Sequence, residues 1–71
     1  MTLEKLKALL NTIPFRPFTL YLPSGHGVVV PHRDFAALSP SGRTLVVLGE
    51  LESETVVDVR LVERVELQAA S

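Results

Sequence analysis

A chain of 71 residues with no cysteine, 46% apolar side chains and a net charge of −1 excludes several classes of protein at once. Only about 60% of the unfolded surface is buried in a domain this small, and no disulfide can staple it, so stability has to come from a well-idealised core or from association with another chain. Seven dispersed basic residues give no strong electrostatic footprint for nucleic acid, and no stretch approaches the ~20 apolar residues that cross a bilayer.

The opening segment has a helical period. Leu3, Leu6, Leu10 and Ile13 recur at spacings of three and four, with Leu9 widening the stripe. The Thr2 hydroxyl can accept from an unpaired amide of the first turn, and Glu4 suits the positive end of the helix dipole. Pro14 disfavours helical geometry at Ile13, which predicts a helix over about 2–12 that stops near Asn11 or Thr12. So short a helix is marginal alone, and its leucine face is expected to form a lid over β-structure. In Pro14-Phe15-Arg16-Pro17-Phe18 the two prolines fix an extended elbow, whose phenylalanines are expected to plug the ends of the core.

From about residue 15 to 67 the pattern is β. Phe18 to Leu22 alternates, with Phe18, Leu20 and Leu22 inward and Thr19 and Tyr21 outward. Residues 23–27 are dense in turn formers. Val28-Val29-Val30 is a second strand, which Pro31 places at an edge, a strand end or a bulge. His32-Arg33-Asp34 makes a loop or bend, Phe35 to Leu38 a short third strand, and Ser39-Pro40-Ser41-Gly42 a turn. Thr44 to Leu48 is a strong fourth strand, residues 49–54 an acidic loop, and Thr55 to Val59 a fifth strand. Val62, Val65 and Leu67 anchor a turn and a last strand, and residues 68–71 are expected to fray.

These elements predict a single mainly β (α+β) domain over 1–71. An N-terminal helix leads into a five- to six-stranded antiparallel sheet, strongly bent or closed as a small barrel. The run from Met1-Thr2-Leu3 to Pro14-Phe15-Arg16-Pro17-Phe18, with the following strand, glycine turn and His32, resembles a group of short uncharacterised bacterial proteins. They share the proline-phenylalanine-arginine-proline-phenylalanine stretch after a leucine-rich helix. The helix followed by about five bent strands, ending in Val59-Arg60-Leu61-Val62-Glu63-Arg64-Val65-Glu66-Leu67, also resembles an Sm-like barrel. That resemblance implies a tight turn between the last two strands and ring assembly through strand pairing with neighbouring subunits. Its RNA-binding members carry an aspartate followed by an asparagine in the middle strands and an arginine-glycine pair before the last strand. Here Asp34 is followed by Phe35-Ala36-Ala37-Leu38 and Arg60 by Leu61, so no RNA-contacting residue carries over.

Candidate chemistry is sparse. The serines lie in turns, the acidic loop or the tail, with no nucleophile-elbow context, and His32 with Asp34 is more simply a locally hydrogen-bonded pair than a catalytic one. His26, His32 and Asp34 fall short of the four closely spaced ligands of a structural zinc site. No cofactor and no catalytic residue is expected. Charge divides along the chain, residues 1–49 carrying +3 and residues 50–71 carrying −4, a division that folding is expected to intermix. The high apolar content points to association with a second copy or another protein, through Val28, Val29 and Val30 or through the strand holding Thr44 and Val46. The alternative is single-stranded nucleic-acid binding by Arg16, Tyr21, Arg33 and Arg43 gathered beside one aromatic face. The first residues lack a basic start followed by an apolar run, which makes the cytoplasm the expected location.

Overall fold

The opening helix follows from its caps. In a computed structural model that describes residues 1–49 and 53–68, α1 spans Leu3–Leu10. The Thr2 hydroxyl accepts from the Lys5 amide at 3.2 Å, and the Asn11 amide closes the last turn on the Lys7 carbonyl at 3.0 Å. Leu6 and Leu10 are buried and Leu3 and Leu9 half-buried. Ile13, expected on the same stripe, is 94% exposed. It lies beyond the Asn11 cap, where the helical period no longer sets the direction of a side chain. The Ile13–Pro14 peptide that follows is cis.

Six strands follow among the described residues. They are β1 Phe18–Tyr21, β2 Gly27–Val30, β3 Ala36–Leu38, β4 Thr44–Leu48, β5 Glu54–Asp58 and β6 Arg64–Leu67. All pairings are antiparallel, and they make two three-stranded sheets in the orders β2-β1-β6 and β3-β4-β5. The expectation of a closed barrel is therefore corrected: no ladder joins one sheet to the other among the described residues. Pro31 has no amide to donate, and a 3-10 turn at Arg33–Phe35 follows it, so the chain leaves β2 at the edge of one sheet and enters β3 at the edge of the other. A second 3-10 turn, Val59–Leu61, joins β5 to β6. Phe35 and Val59, expected within strands, lie in these turns.

One core serves α1 and both sheets. Phe18 and Leu20 from β1, Val28 and Val30 from β2, Leu45 and Val47 from β4, and Val57 from β5 are buried with Leu6 and Leu10. The elbow reading holds for Phe18, and Phe15 packs half-buried on the core with its ring 5.8 Å from that of Phe18. Gln68, expected to fray, donates its amide to the Pro17 carbonyl at 2.9 Å and accepts from Arg16 at 3.0 Å. Residues 50–52 of the expected acidic loop and 69–71 of the tail lie outside the described residues. No helix among the described residues is long and apolar enough to cross a membrane.

The packing predicts two measurable effects. Leu20→Ala, at a fully buried position, is expected to cost about 2–5 kcal/mol in urea denaturation. Gly25 and Gly42 both have positive φ (88° and 77°), but a Cβ at Gly42 would press on the Leu3 side chain while one at Gly25 meets open space. Gly42→Ala is therefore expected to lower the melting temperature more than Gly25→Ala, since it adds displacement of Leu3 to the left-handed backbone strain.

Candidate interaction surfaces

Strand alternation sorts the apolar residues of the second sheet into two faces. Its inward residues reach the core, and its outward ones form a cross-strand row in which Ala37 lies opposite Val46 and Val46 opposite Val56. Val46 is half-buried by its neighbours, whereas Val56 is 62% exposed. Beside the row, Leu48 is 46% and Phe35 40% exposed. These two, with Val29, Pro31 and Gly49, line a shallow hollow of about 280 Å³ that extends the apolar area to the first sheet. The outer face of the second sheet is thus continuously apolar in its middle.

Of the residues expected at an interface, Val29, Thr44 and Val46 face outward, while Val28 and Val30 are buried in the core. The idea that β4 itself pairs with another chain is corrected, because β4 is the central strand of its sheet and is hydrogen-bonded on both sides. Leu48 lies on the expected strand, whereas Val56, Phe35 and Ala37 were not expected at this surface. The consecutive valines at 56 and 57 require that one of them face out, but only the register shows which one and what lies beside it.

Unlike β4, the strands β2, β3, β5 and β6 each pair on one side only among the described residues, so β2, which holds Val28, Val29 and Val30, is an edge strand. In β1, Phe18 and Leu20 direct their backbone groups to β2, and Thr19 and Tyr21 direct theirs to β6. Gln68 donating to Pro17 sets the same phase, so the N–H and C=O groups of Val65 and Leu67 face away from the sheet. By the same alternation, with Gly49 bonded to Ser53 and Val59 to Arg43, those of Val56 face away from β4. Met1, Lys5 and Leu9 on the helix side and Glu63, Val65 and Leu67 on the strand side line a hollow of about 240 Å³ alongside β6.

The basic patch does not assemble. Arg16 lies beyond the Phe18 end of β1, bonded to the Gln68 carbonyl, and Tyr21 is at the opposite end. The Tyr21 ring is already covered by Arg64, whose guanidinium carbon lies 3.8 Å from the ring centre and which also binds Glu66 at 2.9 Å. Arg33 lies in the turn next to the Leu48 end of β4, and Arg43 precedes the Thr44 end. Each is an exposed cation in a separate neighbourhood.

The histidine–aspartate pair acts locally. His32 Nδ1 accepts from the Asp34 amide at 3.2 Å and so caps the 3-10 turn, while its ring lies 5.9 Å from Phe15 and 6.5 Å from Phe35. The same nitrogen lies 3.6 Å from the Asp34 carboxylate, so the pair is a contact within one turn. Among the described residues, no group of three or more His, Cys, Asp or Glu side chains is placed to hold a metal ion.

Asp58 makes the better-defined ionic contact. Its carboxylate accepts from the Arg60 amide at 2.9 Å and from the guanidinium at 3.1 and 3.3 Å. The Arg60 side chain first, and then its amide, hold the Asp58 pKa below the ordinary 3.8. A carboxylate with a depressed folded pKa stabilises fully above its unfolded pKa and loses that contribution as pH falls through the folded one. The melting temperature is therefore expected to fall less steeply below pH 3.8 in Asp58→Asn than in the parent chain, as read by circular dichroism melts across pH 2–5.

Comparison with protein-family models, with curated protein sequences and with solved structures returns no match.

Proposed function

We propose that this chain is a non-enzymatic β-module that assembles with copies of itself through its free strand edges, on an Sm-like plan. The observation that carries the reading is that β5 and β6, joined only by a short turn, are each the last strand of their sheets with outward-facing backbone groups. Neither strand carries a proline or lysine, and their charges, Glu54, Asp58, Arg64 and Glu66, all lie on the outer face, which leaves the core side of both edges uncharged. A foreign strand added there would satisfy the free amides and carbonyls, and the side chains would set its register.

Chain order favours this plan. The chain runs from β2 to β3 through residues 31–35 alone, so the two sheets follow one path of strands, β6-β1-β2 and then β3-β4-β5. Its two ends are β6 and β5. Pairing β5 of one copy in parallel with β6 of the next, core-facing side chains aligned, lets the outward groups of Val56 bond those of Val65 and Leu67, and puts Val57 beside Leu67 and Glu54 beside Arg64. Opposite charges across a ladder stabilise such a pair and like charges oppose it. A slip of two residues in either direction sets Glu54 or Asp58 against Glu66 instead, so the side chains favour one register.

The non-enzymatic reading is supported by His32, whose Nδ1 caps a turn, and by the dispersal of the other polar groups. The separation of Arg16, Tyr21, Arg33 and Arg43 gives no comparable support to single-stranded nucleic-acid binding, which requires stacked aromatics flanked by cations. Static light scattering tests the proposal, with a mass above that of one chain expected. Val65→Pro removes an edge-facing amide at a position where an edge strand tolerates proline, and it is expected to shift the mass downward while the folded far-UV spectrum persists. A parent chain that stays monomeric at millimolar concentration overturns the proposal.

A further inference from the structure

The outer face of the second sheet is a separate surface from the β5 and β6 edges, and we propose that it packs against the same face of a second copy in a two-fold, sheet-on-sheet contact centred on Val46.

The first ground is area. Val29, Phe35, Leu48 and Val56 are 58, 40, 46 and 62% exposed. With side chains of roughly 150–200 Å² each, and with Ala37 and Val46 added, the face offers on the order of 400–500 Å² of apolar surface. Two copies face to face would bury about 900 Å² of it, the apolar share, near 65%, of a specific interface of about 1,400 Å². The row Ala37, Val46, Val56 is of small and β-branched side chains, and so forms the flat surface that stacked sheets use at a spacing of ~10 Å.

The second ground is charge, which selects the occupant. At the Leu48 end of the face stands Glu54, cross-strand from Leu48, with Arg33 and Asp34 of opposite charge in the adjoining turn. At the Thr44 end stand Arg43, Asp58 and Arg60, with Arg60 already paired to Asp58, which leaves Arg43 as the surplus cation. A two-fold axis through Val46 and across the strands lays the Leu48 end of one copy over the Thr44 end of the other, bringing Glu54 twice over the group of Arg43, Asp58 and Arg60, in which the cations outnumber the carboxylate. The same surface is complementary to itself in this orientation, as an isologous dimer requires, and the parallel arrangement would oppose like charges.

Light scattering on the full chain separates this contact from edge pairing. Val46→Lys is expected to halve the mass of the parent assembly, and Val65→Pro to leave a dimer that Val46→Lys in the same chain reduces to a monomer. Leu48→Lys, whose new cation faces Glu54 across the ladder, should act as Val46→Lys does and guards against a variant that merely fails to fold. Glu54→Lys should weaken the Val65→Pro dimer about tenfold, and adding Arg43→Glu should restore it. A folded Val65→Pro chain that is monomeric at millimolar concentration, or a parent mass unchanged by Val46→Lys and Leu48→Lys, overturns the contact. A dimeric parent whose mass falls with Val46→Lys but not with Val65→Pro supports the face contact and removes the edge reading.

Discussion

The constraint on which the rest depends is that one small core must take the inner faces of two antiparallel sheets and one short helix. Successive strand residues point to opposite faces, so each strand can give the core only every second side chain. Phe18 and Leu20, Val28 and Val30, Leu45 and Val47, and Val57 use that allotment. The valine runs at 28–30, 46–47 and 56–57 hold more apolar residues than the inner faces can accept. Val29, Val46 and Val56 are displaced outward by geometry, not by any weakness of their hydrophobicity.

That surplus distinguishes the two sheets. On the outside of the first sheet, Val29 sits beside Thr19 and Glu66, with Tyr21 and Arg64 stacked further along. This is the mixed, largely polar face usual for an antiparallel sheet exposed to water. On the outside of the second, the row Ala37, Val46, Val56 has no charged member, and the charges of β5 sit at its two ends. An antiparallel sheet with apolar residues in both phases has the pattern of one covered on both sides.

Much of this organisation is legible in the residues. Thr2 and Asn11 bound the helix because a hydroxyl cap and a proline three residues past the end act locally. The alternation of Phe18 to Tyr21 and the Ser39–Gly42 turn are equally local. Three features depend on contacts between distant segments and were not legible. The sheet splits in two because Pro31 and the Arg33–Phe35 turn act together, where either alone reads as a bend. Ile13 fits the helical stripe by spacing but lies outside the helix. Tyr21 reads as a free stacking surface until Arg64, 43 positions along the chain, is brought over it by the β1–β6 ladder. The candidate interface was legible in part. The valine runs and the strand Thr44 to Leu48 mark where apolar surplus must emerge, but Phe35 and Val56 join it only through register.

The two proposed contacts differ in what they ask of the molecule, and their geometry limits how they combine. Edge pairing uses backbone groups of two different strands, β5 on one copy and β6 on the next. It is head-to-tail and must close into a ring or run on as a filament. Face packing uses one surface twice and stops at two copies. The edge contact is directional and tolerates side-chain change wherever register is kept, whereas the face contact rests on apolar area and on the placement of Glu54 over the group that includes Arg43. Since the outward backbone of Val56 lies at the β5 edge while its side chain lies on the face, the two contacts meet at this residue. With core-facing sides aligned, β6 paired to β5 sets Arg64 and Glu66 along the Val56 side of the face, so the edge contact gives the apolar surface a charged rim. The two contacts therefore share Val56 without sharing apolar area: the ladder holds its backbone, the opposing layer takes its side chain, and the charged rim limits how far that layer can spread.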